Sequence, residues 1–137
     1  MMIEKAILVA IMLASRAFDV PAHLIAAHID AESSWNIHAL GDYDKEGQPH
    51  SFGLGQLNDQ GAGYGYTPDQ LLDPYLNIFV TAEYIKACRN MFPNNIKLAI
   101  SAYNQGQGGA ARRGYGYNEP YVNNVLSLMS KYEKEIK

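Results

Sequence analysis

Short apolar stripes at helical spacing, separated by proline and glycine, constrain the fold of this chain more than any other feature. Residues 2–17 are predicted to form the first helix. Asp19 can cap a second helix, with Pro21 near its first turn, where a missing N–H costs nothing. Helix follows helix without an internal repeat or a linker. We therefore predict a mostly α-helical fold in which residues 1–137 form one domain.

The later helices begin at similar sequence signals. The Asp-Pro pair at residues 73–74 is predicted to start a long helix that Pro93 ends, and Asn94 or Asn95 to cap a short one. Pro120 opens the last helix. The residues predicted to share buried faces are Ile78, Ala82, Ile85 and Phe92 in the long helix, Ile96, Ala99, Ile100 and Tyr103 in the short one, and Val122, Val125, Leu126, Met129 and Ile136 in the last.

Two stretches of the chain lack a helical period. Residues 36–74 are rich in glycine, aspartate, tyrosine and proline, which predicts an ordered loop region with a short helix or a small β-hairpin, the hairpin within residues 40–58. Residues 104–118 contain five glycines and no apolar pattern, so a loop is predicted there too. Long loops in small domains are usually functional, and these two are the first places to look for a site.

Composition and charge argue against several functional classes. The net charge is −3 and no long Lys/Arg cluster is present, which argues against a nucleic-acid partner. The apolar run at residues 6–14 is well short of the ~20 residues that span a membrane. It also resembles the core of a secretory signal, but Glu4 cancels the charge of Lys5, so we favour a structural helix. The single cysteine, Cys88, excludes an internal disulfide and is predicted to be a core residue.

One carboxylate lies on the apolar face of the second predicted helix. Ile25, Ile29 and Glu32 are spaced at i, i+4 and i+7, so Glu32 points in the same direction as residues that must be buried. Burial favours the neutral form of a carboxyl group, and a neutral carboxyl group can donate a proton near neutral pH. The spacing makes Glu32 a candidate general acid, while a glutamate that ends a helix and points to water is the simpler reading.

Five short motifs occur in a fixed order along the chain, and together they resemble the soluble lytic transglycosylases and their goose-type lysozyme relatives. These enzymes cut the glycan strands of peptidoglycan. The motifs are Glu32-Ser33 with Trp35-Asn36, Ser51 before Gly53-Leu54-Gly55-Gln56, Asp73-Pro74 with Asn77-Ile78, Ala102-Tyr103-Asn104-Gln105-Gly106, and Tyr121-Val122. One residue separates Ser33 from the aromatic Trp35. The resemblance implies a lysozyme-like fold and cleavage of the MurNAc-β-1,4-GlcNAc bond.

The resemblance also implies roles for individual residues. Glu32 is implied as the acid that protonates the glycosidic oxygen and then as the base that accepts the proton of the muramyl C6 hydroxyl, which closes a 1,6-anhydro ring. Ser51 and Gln56 are implied to hydrogen-bond the sugar or its N-acetyl group. Tyr103 is implied to hold the carboxyl group of Glu32. The two remaining residues are Asn104, implied to fix the adjacent turn, and Tyr121, implied to be a further cleft residue.

An acidic loop between the Glu32 motif and Ser51 keeps a hydrolytic alternative open. An inverting glycosidase uses a second carboxylate to activate water, and Asp42 or Asp44 could serve as that base, as in goose-type lysozymes. A transglycosylase needs neither, and the loop could equally be a solvated surface. A further alternative is a catalytically silent glycan-binding or virion structural module with the same fold.

Metal sites are less well supported by the sequence. Asp42, Asp44, Glu46 and Gly47 match the first positions of an EF-hand loop, but Gly53 stands where the bidentate glutamate is needed. The four histidines, His23, His28, His38 and His50, lack the spacing of a zinc site. No metal and no cofactor is expected.

The remaining expectations concern partners and location. The expected partner is the peptidoglycan glycan strand, with no nucleic acid, no stable membrane insertion and a monomeric state. We expect a phage lysis protein, an endolysin made in the host cytoplasm that acts on the bacterial cell wall. A secreted or periplasmic bacterial enzyme is the alternative.

Overall fold

Helices dominate the computed structural model, which describes residues 3–136. The mostly α-helical prediction is confirmed. The predicted start of the first helix at Met2 lies outside the described residues. The helices are α1 (Lys5–Phe18), α2 (Ala22–Ser33), α3 (Pro68–Leu71), α4 (Pro74–Met91), α5 (Ile96–Gln105), α6 (Gln107–Arg113) and α7 (Glu119–Glu135), with a 3-10 helix at Tyr115–Asn118 between α6 and α7.

A small antiparallel sheet occupies the region where a hairpin was predicted. Its three strands have two residues each: β1 (Leu40–Gly41), β2 (Ser51–Phe52) and β3 (Leu57–Asn58), in the order β1-β2-β3. Leu40 pairs with Phe52, and Phe52 pairs in turn with Leu57. The β2–β3 connection is therefore a tight four-residue turn, and it carries the Gly-Leu-Gly-Gln motif.

Helix α2 lies at the centre of the packing. Residues 24–29 are all buried, which is expected of a helix that is covered on every side. It packs against α7, α1 and α4, and α4 packs in turn against α1 and α5. The main apolar cluster joins α1, α2, α4, α5 and α7 around residues such as Ile11, Ile25 and Ile78. A smaller cluster of Phe52, Leu57, Leu71 and Val80 holds the sheet against α3 and α4.

The predicted caps are partly right. Asp73 accepts hydrogen bonds from the backbone N–H groups of Tyr75 and Leu76, and Asn95 accepts one from the backbone of Leu98. The prediction for Asp19 is wrong, because this residue ends α1 in a left-handed conformation with φ of 54°. The link between α1 and α2 is too short for Asp19 both to end α1 and to cap α2, and the cap position of α2 falls on Pro21 instead.

One loop prediction and one burial prediction are also wrong. Residues 104–118 are helical over most of their length, since α6 and the 3-10 helix follow directly after Gly106. Side-chain contacts offset the weak helical propensity of this stretch: Gln105 donates from Nε2 to the backbone oxygen of Gly114, and Asn118 donates to that of Ser101. Ile96, predicted to face the core, is 41% exposed because it lies in the first turn of α5, beyond the edge of the packing.

The N-terminal apolar run and Cys88 both belong to the main apolar cluster. Ile7, Ala10, Ile11 and Ala14 of α1 are buried in the main cluster, and the predicted core position of Cys88 is confirmed by its exposure of 1%. Within residues 3–136, no helix is both long enough and apolar enough to cross a membrane.

Candidate active site

A cleft of about 360 Å³ opens beside the C-terminal end of α2 and the small sheet. Helices α4 and α5 contribute further residues to its walls. Six of the eight residues predicted for the site lie on the lining of this cleft: Glu32, Asp42, Ser51, Gln56, Tyr103 and Asn104. The structure brings these residues together from three helices or loops that are far apart in the sequence.

Glu32 lies in the last turn of α2 and lines the cleft. The pKa of this carboxyl group is raised from 4.5 to about 7, chiefly by burial; the hydrogen bond from Tyr121 lowers it, and the negative charge of Asp42 makes a smaller contribution that raises it. The side chain is thus neutral in a large fraction of molecules near neutral pH. This is the protonation state that a general acid requires.

Tyr121 lies behind Glu32 and is not part of the cleft lining. Its hydroxyl donates a hydrogen bond to Oε2 of Glu32 across 2.6 Å, from the second residue after the start of α7. Nδ1 of His28 lies 2.9 Å from the same hydroxyl oxygen. His28 is buried one turn before Glu32 on α2, and burial lowers its pKa to about 3. The three side chains form a continuous hydrogen-bonded chain that leads into the cleft.

The turn between β2 and β3 is held in shape by a buried asparagine. Asn77 donates from Nδ2 to the backbone oxygens of Phe52 and Leu71, and its Oδ1 accepts from the backbone N–H of Gly55 and from the hydroxyl of Thr81. Gly53 adopts φ of 74°, and a Cβ there would lie 2.6 Å from Nδ2 of Asn77. The turn therefore requires glycine both for its conformation and for its closeness to α4.

Tyr103 connects α5 to the same turn. Its hydroxyl donates to the backbone oxygen of Gly55 at 2.7 Å, and a Cβ on Gly55 would lie 2.8 Å from that hydroxyl and would also overlap the hydroxyl of Thr81. The ring of Tyr103 also packs against His28, with centroids 4.3 Å apart. Tyr103 thus fixes the position of the turn relative to α2, and its hydroxyl hydrogen bond is to the turn.

The polar residues of the small sheet form a second set of contacts in the cleft. The hydroxyl of Ser51 donates to the carboxylate of Asp42, and Nδ2 of Asn58 donates to the Ser51 oxygen at 3.2 Å. Nε2 of Gln56 donates to the backbone oxygens of Ala39 and Gly53, so its amide nitrogen is engaged by the loop itself. Asn104 accepts from Nδ2 of Asn118 at the start of α7, opposite the sheet.

Asp44 lies outside the cleft lining. Its Oδ1 accepts from the backbone N–H groups of Glu46 and Gln48, and its Oδ2 is 2.7 Å from Nε2 of His50. Nδ1 of His50 is 3.1 Å from Asp59, so the imidazole lies between two carboxylates and its pKa is raised. These contacts close the acidic loop onto the sheet. Among the residues that the structure describes, no group of three or more His, Cys, Asp or Glu side chains is arranged to hold a metal ion.

Comparison with known protein families assigns the chain. The family described as the transglycosylase SLT domain matches residues 9–121, which is more than half of the chain. The chain belongs to this family. The resemblance seen in the five sequence motifs is therefore confirmed at the level of the family. No curated protein sequence matches the chain significantly.

Two solved structures share the fold of this SLT domain. One is an inactive mutant of the lytic transglycosylase Slt from Pseudomonas aeruginosa, with a TM-score of 0.77 and 23% identity over 93% of this chain and 24% of that chain. The other is the 70 kDa soluble lytic transglycosylase from Escherichia coli, with a TM-score of 0.77 and 24% identity over the same shares. The chain spans about a quarter of the length of these proteins.

The SLT domain contains site residues that the sequence analysis missed. Tyr84, Asn58 and Gln105 line the cleft, and His28 lies behind it. His28 could have been found, because it precedes Glu32 by four residues and so lies on the same face of α2. Asn77 belongs to one of the five motifs, but its role in organising the glycine turn was not predicted, because its four partners come from three separate segments.

Proposed function

We propose that this SLT domain is a lytic transglycosylase that cleaves the β-1,4 bond between N-acetylmuramic acid and N-acetylglucosamine in peptidoglycan. The observation that carries the proposal is the environment of Glu32, a carboxyl group with a pKa of about 7 on the wall of a cleft. Family membership supports the same reaction, because the family is that of transglycosylase domains. The proposed partner is the glycan strand of the cell wall.

Glu32 acts in both steps of the proposed reaction. Its proton moves to the glycosidic oxygen as the bond from that oxygen to C1 of the muramyl residue breaks, through an oxocarbenium-like transition state. The C6 hydroxyl of the same residue then bonds to C1, and its proton returns to the carboxylate of Glu32. The products are a 1,6-anhydromuramyl end and a free hydroxyl on the leaving sugar, and no water is consumed.

Tyr121 stabilises the carboxylate of Glu32 and orients its protonated form in this scheme. Because its hydroxyl is held at 2.6 Å from Oε2, it stabilises the carboxylate that exists between the two steps. The same bond leaves Oε1 as the oxygen that carries the transferable proton. Tyr121 is therefore proposed to orient the acid from behind rather than to contact the sugar.

Three other residues that line the cleft are proposed to contact the substrate. Ser51, Gln56 and Asn104 carry polar groups on the cleft wall, and we propose that they hydrogen-bond the sugars or their N-acetyl groups. The amide nitrogen of Gln56 is engaged by backbone oxygens, so its Oε1 is the atom proposed to accept from the substrate. Tyr103 is proposed to act indirectly, by holding the Gly55 turn that carries Gln56.

Hydrolysis is the alternative reaction, and the structure favours Asp42 over Asp44 as its base. Asp42 lines the cleft with Glu32 and contributes to the raised pKa of that carboxyl group. Asp44 is engaged with His50 and two backbone N–H groups outside the cleft. A hydrolase would use the carboxylate of Asp42 to activate water, and it would release reducing ends.

Mass spectrometry of the soluble products from purified peptidoglycan tests these possibilities. We expect 1,6-anhydro ends from the wild type and from Asp42→Asn, and no products from Glu32→Gln. Reducing ends that disappear in Asp42→Asn, with Asp44→Asn as the matched control, would establish the hydrolase. No products from the wild type on several wall types would contradict both. Retained binding of glycan strands by Glu32→Gln and by an inactive wild type would then favour a glycan-binding or virion structural module.

The organisation and biological setting of the domain are further parts of the proposal. We propose that residues 1–137 form a single monomeric domain, which the apolar cluster running from Ile7 to Val125 supports. The buried face of α1 supports its role as a structural helix over that of a cleaved signal. We also propose a phage endolysin made in the host cytoplasm, with a secreted or periplasmic enzyme as the alternative. Cytoplasmic expression that lyses cells only after the membrane is permeabilised would support the endolysin.

A further inference from the structure

A buried histidine forms the far end of the hydrogen-bonded chain behind Glu32. His28 is 1% exposed, lies one helical turn before Glu32 on α2, and has Nδ1 2.9 Å from the hydroxyl oxygen of Tyr121. That hydroxyl is in turn 2.6 Å from Oε2 of Glu32. The imidazole also lies against the ring of Tyr103, with an interplanar angle of 32° and centroids 4.3 Å apart. Packing therefore fixes the ring, and the direction of Nδ1 with it.

The single proton of the tyrosine hydroxyl determines which histidine nitrogen is protonated. Tyr121 has one proton to donate, so it donates either to Glu32 or to Nδ1 of His28 and not to both; when it donates to Oε2 of Glu32, its oxygen accepts from His28. Burial lowers the pKa of His28 to about 3, so the imidazole is neutral and carries one N–H. When Tyr121 donates to Glu32, that N–H is on Nδ1. The proton directions then run from His28 to Tyr121 and from Tyr121 to Glu32.

This arrangement affects where Glu32 holds its own proton. If Nδ1 of His28 were unprotonated, the hydroxyl of Tyr121 could donate to it, and a protonated Glu32 could donate from Oε2 to the tyrosine oxygen, with its proton directed away from the cleft. With Nδ1–H of His28 bound to that oxygen, the hydroxyl proton stays directed at Oε2. The carboxyl proton is then kept on Oε1.

We propose that His28 is a positioning residue that acts through Tyr121 and keeps the transferable proton of Glu32 on the oxygen that serves the cleft. This inference rests on the proposed role of Glu32 as the general acid. His28 does not line the cleft and does not contact Glu32 by a hydrogen bond. Its effect on the reaction therefore passes through the hydroxyl of Tyr121.

Other ionisable groups surround this chain without competing for Nδ1 of His28. Among the described residues, Tyr121 is the one hydrogen-bond partner of the His28 side chain. The hydroxyl of Tyr103, whose ring packs on the imidazole, is bonded to the backbone of Gly55. The neighbouring groups are Asp42 in the acidic loop, Tyr84, Cys88 and Arg89 on α4, and Tyr103 on α5.

Steady-state kinetics on soluble glycan strands provide the first test. In His28→Leu, which removes the donor, we expect kcat to fall about tenfold with KM unchanged, because one hydrogen bond that orients the acid is lost. His28→Asn can return a donor near the position of Nδ1, and we expect it to restore kcat to within about threefold of the wild type. The matched control is His23→Leu on the same helix, whose side chain is directed at Glu133 and away from Glu32.

A double variant separates action through Tyr121 from a general structural effect. If His28 acts through the hydroxyl of Tyr121, His28→Leu should add no further loss of kcat in the background of Tyr121→Phe. A full additional loss in that background would overturn the proposal, as would an unchanged kcat in His28→Leu alone. Thermal unfolding of each variant identifies any loss of kcat that comes from misfolding. If His28→Leu is misfolded, the kcat of a folded His28→Asn tests the proposal in its place.

Nitrogen-15 NMR of the His28 imidazole gives a readout that is independent of activity. We expect the neutral tautomer protonated at Nδ1 in the wild type, and a change of this signal in Tyr121→Phe. An imidazole protonated at Nε2 would overturn the proposal. If the wild type releases no products from peptidoglycan, the proposed function fails, and the tautomer alone then decides whether the hydrogen-bonded chain exists.

Discussion

The stability of this SLT domain should depend on pH through Glu32, and Glu32→Gln should remove that dependence. The carboxyl group has a pKa of about 7 in the folded protein, compared with 4.5 when it is solvated. The folded state therefore binds the proton of Glu32 more tightly than the unfolded state does. As the pH rises above 4.5, the unfolded chain releases this proton first, and the free energy of unfolding falls until the pH is above about 7.

The size of the effect follows from the two pKa values. A difference of one pKa unit corresponds to about 1.4 kcal/mol, so the shift of Glu32 corresponds to about 3 kcal/mol of stability lost across this pH range. Glutamine has nearly the same shape, can accept the hydrogen bond of Tyr121 with its Oε1, and stays neutral at every pH. Glu32→Gln should therefore match the wild type in acid and exceed its stability in base.

Urea unfolding of both proteins at several pH values measures this difference. We expect the free energy of unfolding of Glu32→Gln minus that of the wild type to rise by about 3 kcal/mol between about pH 4 and about pH 9. For a chain of this length, that corresponds to roughly 10 °C in Tm. All other titrating groups are shared by the two proteins, so they cancel in the difference.

The matched control is Glu83→Gln, which changes an exposed glutamate on α4. The free energy of unfolding of Glu83→Gln minus that of the wild type should not rise by about 3 kcal/mol between acid and base, because an exposed carboxylate is hydrated in both the folded and the unfolded state. A difference for Glu32→Gln that stays flat from acid to base would refute the reasoning. It would mean that the carboxylate of Glu32 is as well solvated in the folded protein as in the unfolded chain, and the argument for a neutral acid would fail with it.

Three other variants or measurements test the surroundings of the site. Asn77→Ala removes a hydrogen bond from each of three buried backbone groups, and we expect urea unfolding to show a loss of about 4 kcal/mol. The exposed control Asn90→Ala should lose less than about 0.5 kcal/mol. Gly55→Ala should lower the free energy of unfolding by about 2 kcal/mol and reduce activity, because the added methyl group overlaps the buried hydroxyls of Thr81 and Tyr103. The control Gly116→Ala adds its methyl group in open space and should change stability little. Equal losses in the two variants would contradict the crowding at Gly55. NMR should show His50 titrating above 6.5, and a midpoint at or below that value would contradict its two carboxylate contacts.

Local sequence signals were sufficient for the parts of the fold that depend on neighbouring residues. The caps at Asp73 and Asn95 were predictable because a side-chain oxygen satisfies N–H groups two or three residues away. The helical region after Gly106 was not, because its stability depends on bonds such as that from Gln105 to Gly114 and on packing against α5. Propensity alone favours a loop for a stretch with so many glycines.

The sequence by itself determined the helical architecture, the order of the five motifs and the position of Glu32 on the apolar face of α2. Tertiary structure alone decided what surrounds that carboxyl group: Tyr121 comes from α7, 89 residues away, and Asp42 from a loop that reaches the same cleft. It also separated Asp42 from Asp44, which the sequence could not rank. The physical reason is that helix formation depends on contacts within a few residues, whereas the desolvation and charge interactions that set a pKa depend on atoms brought together from distant segments.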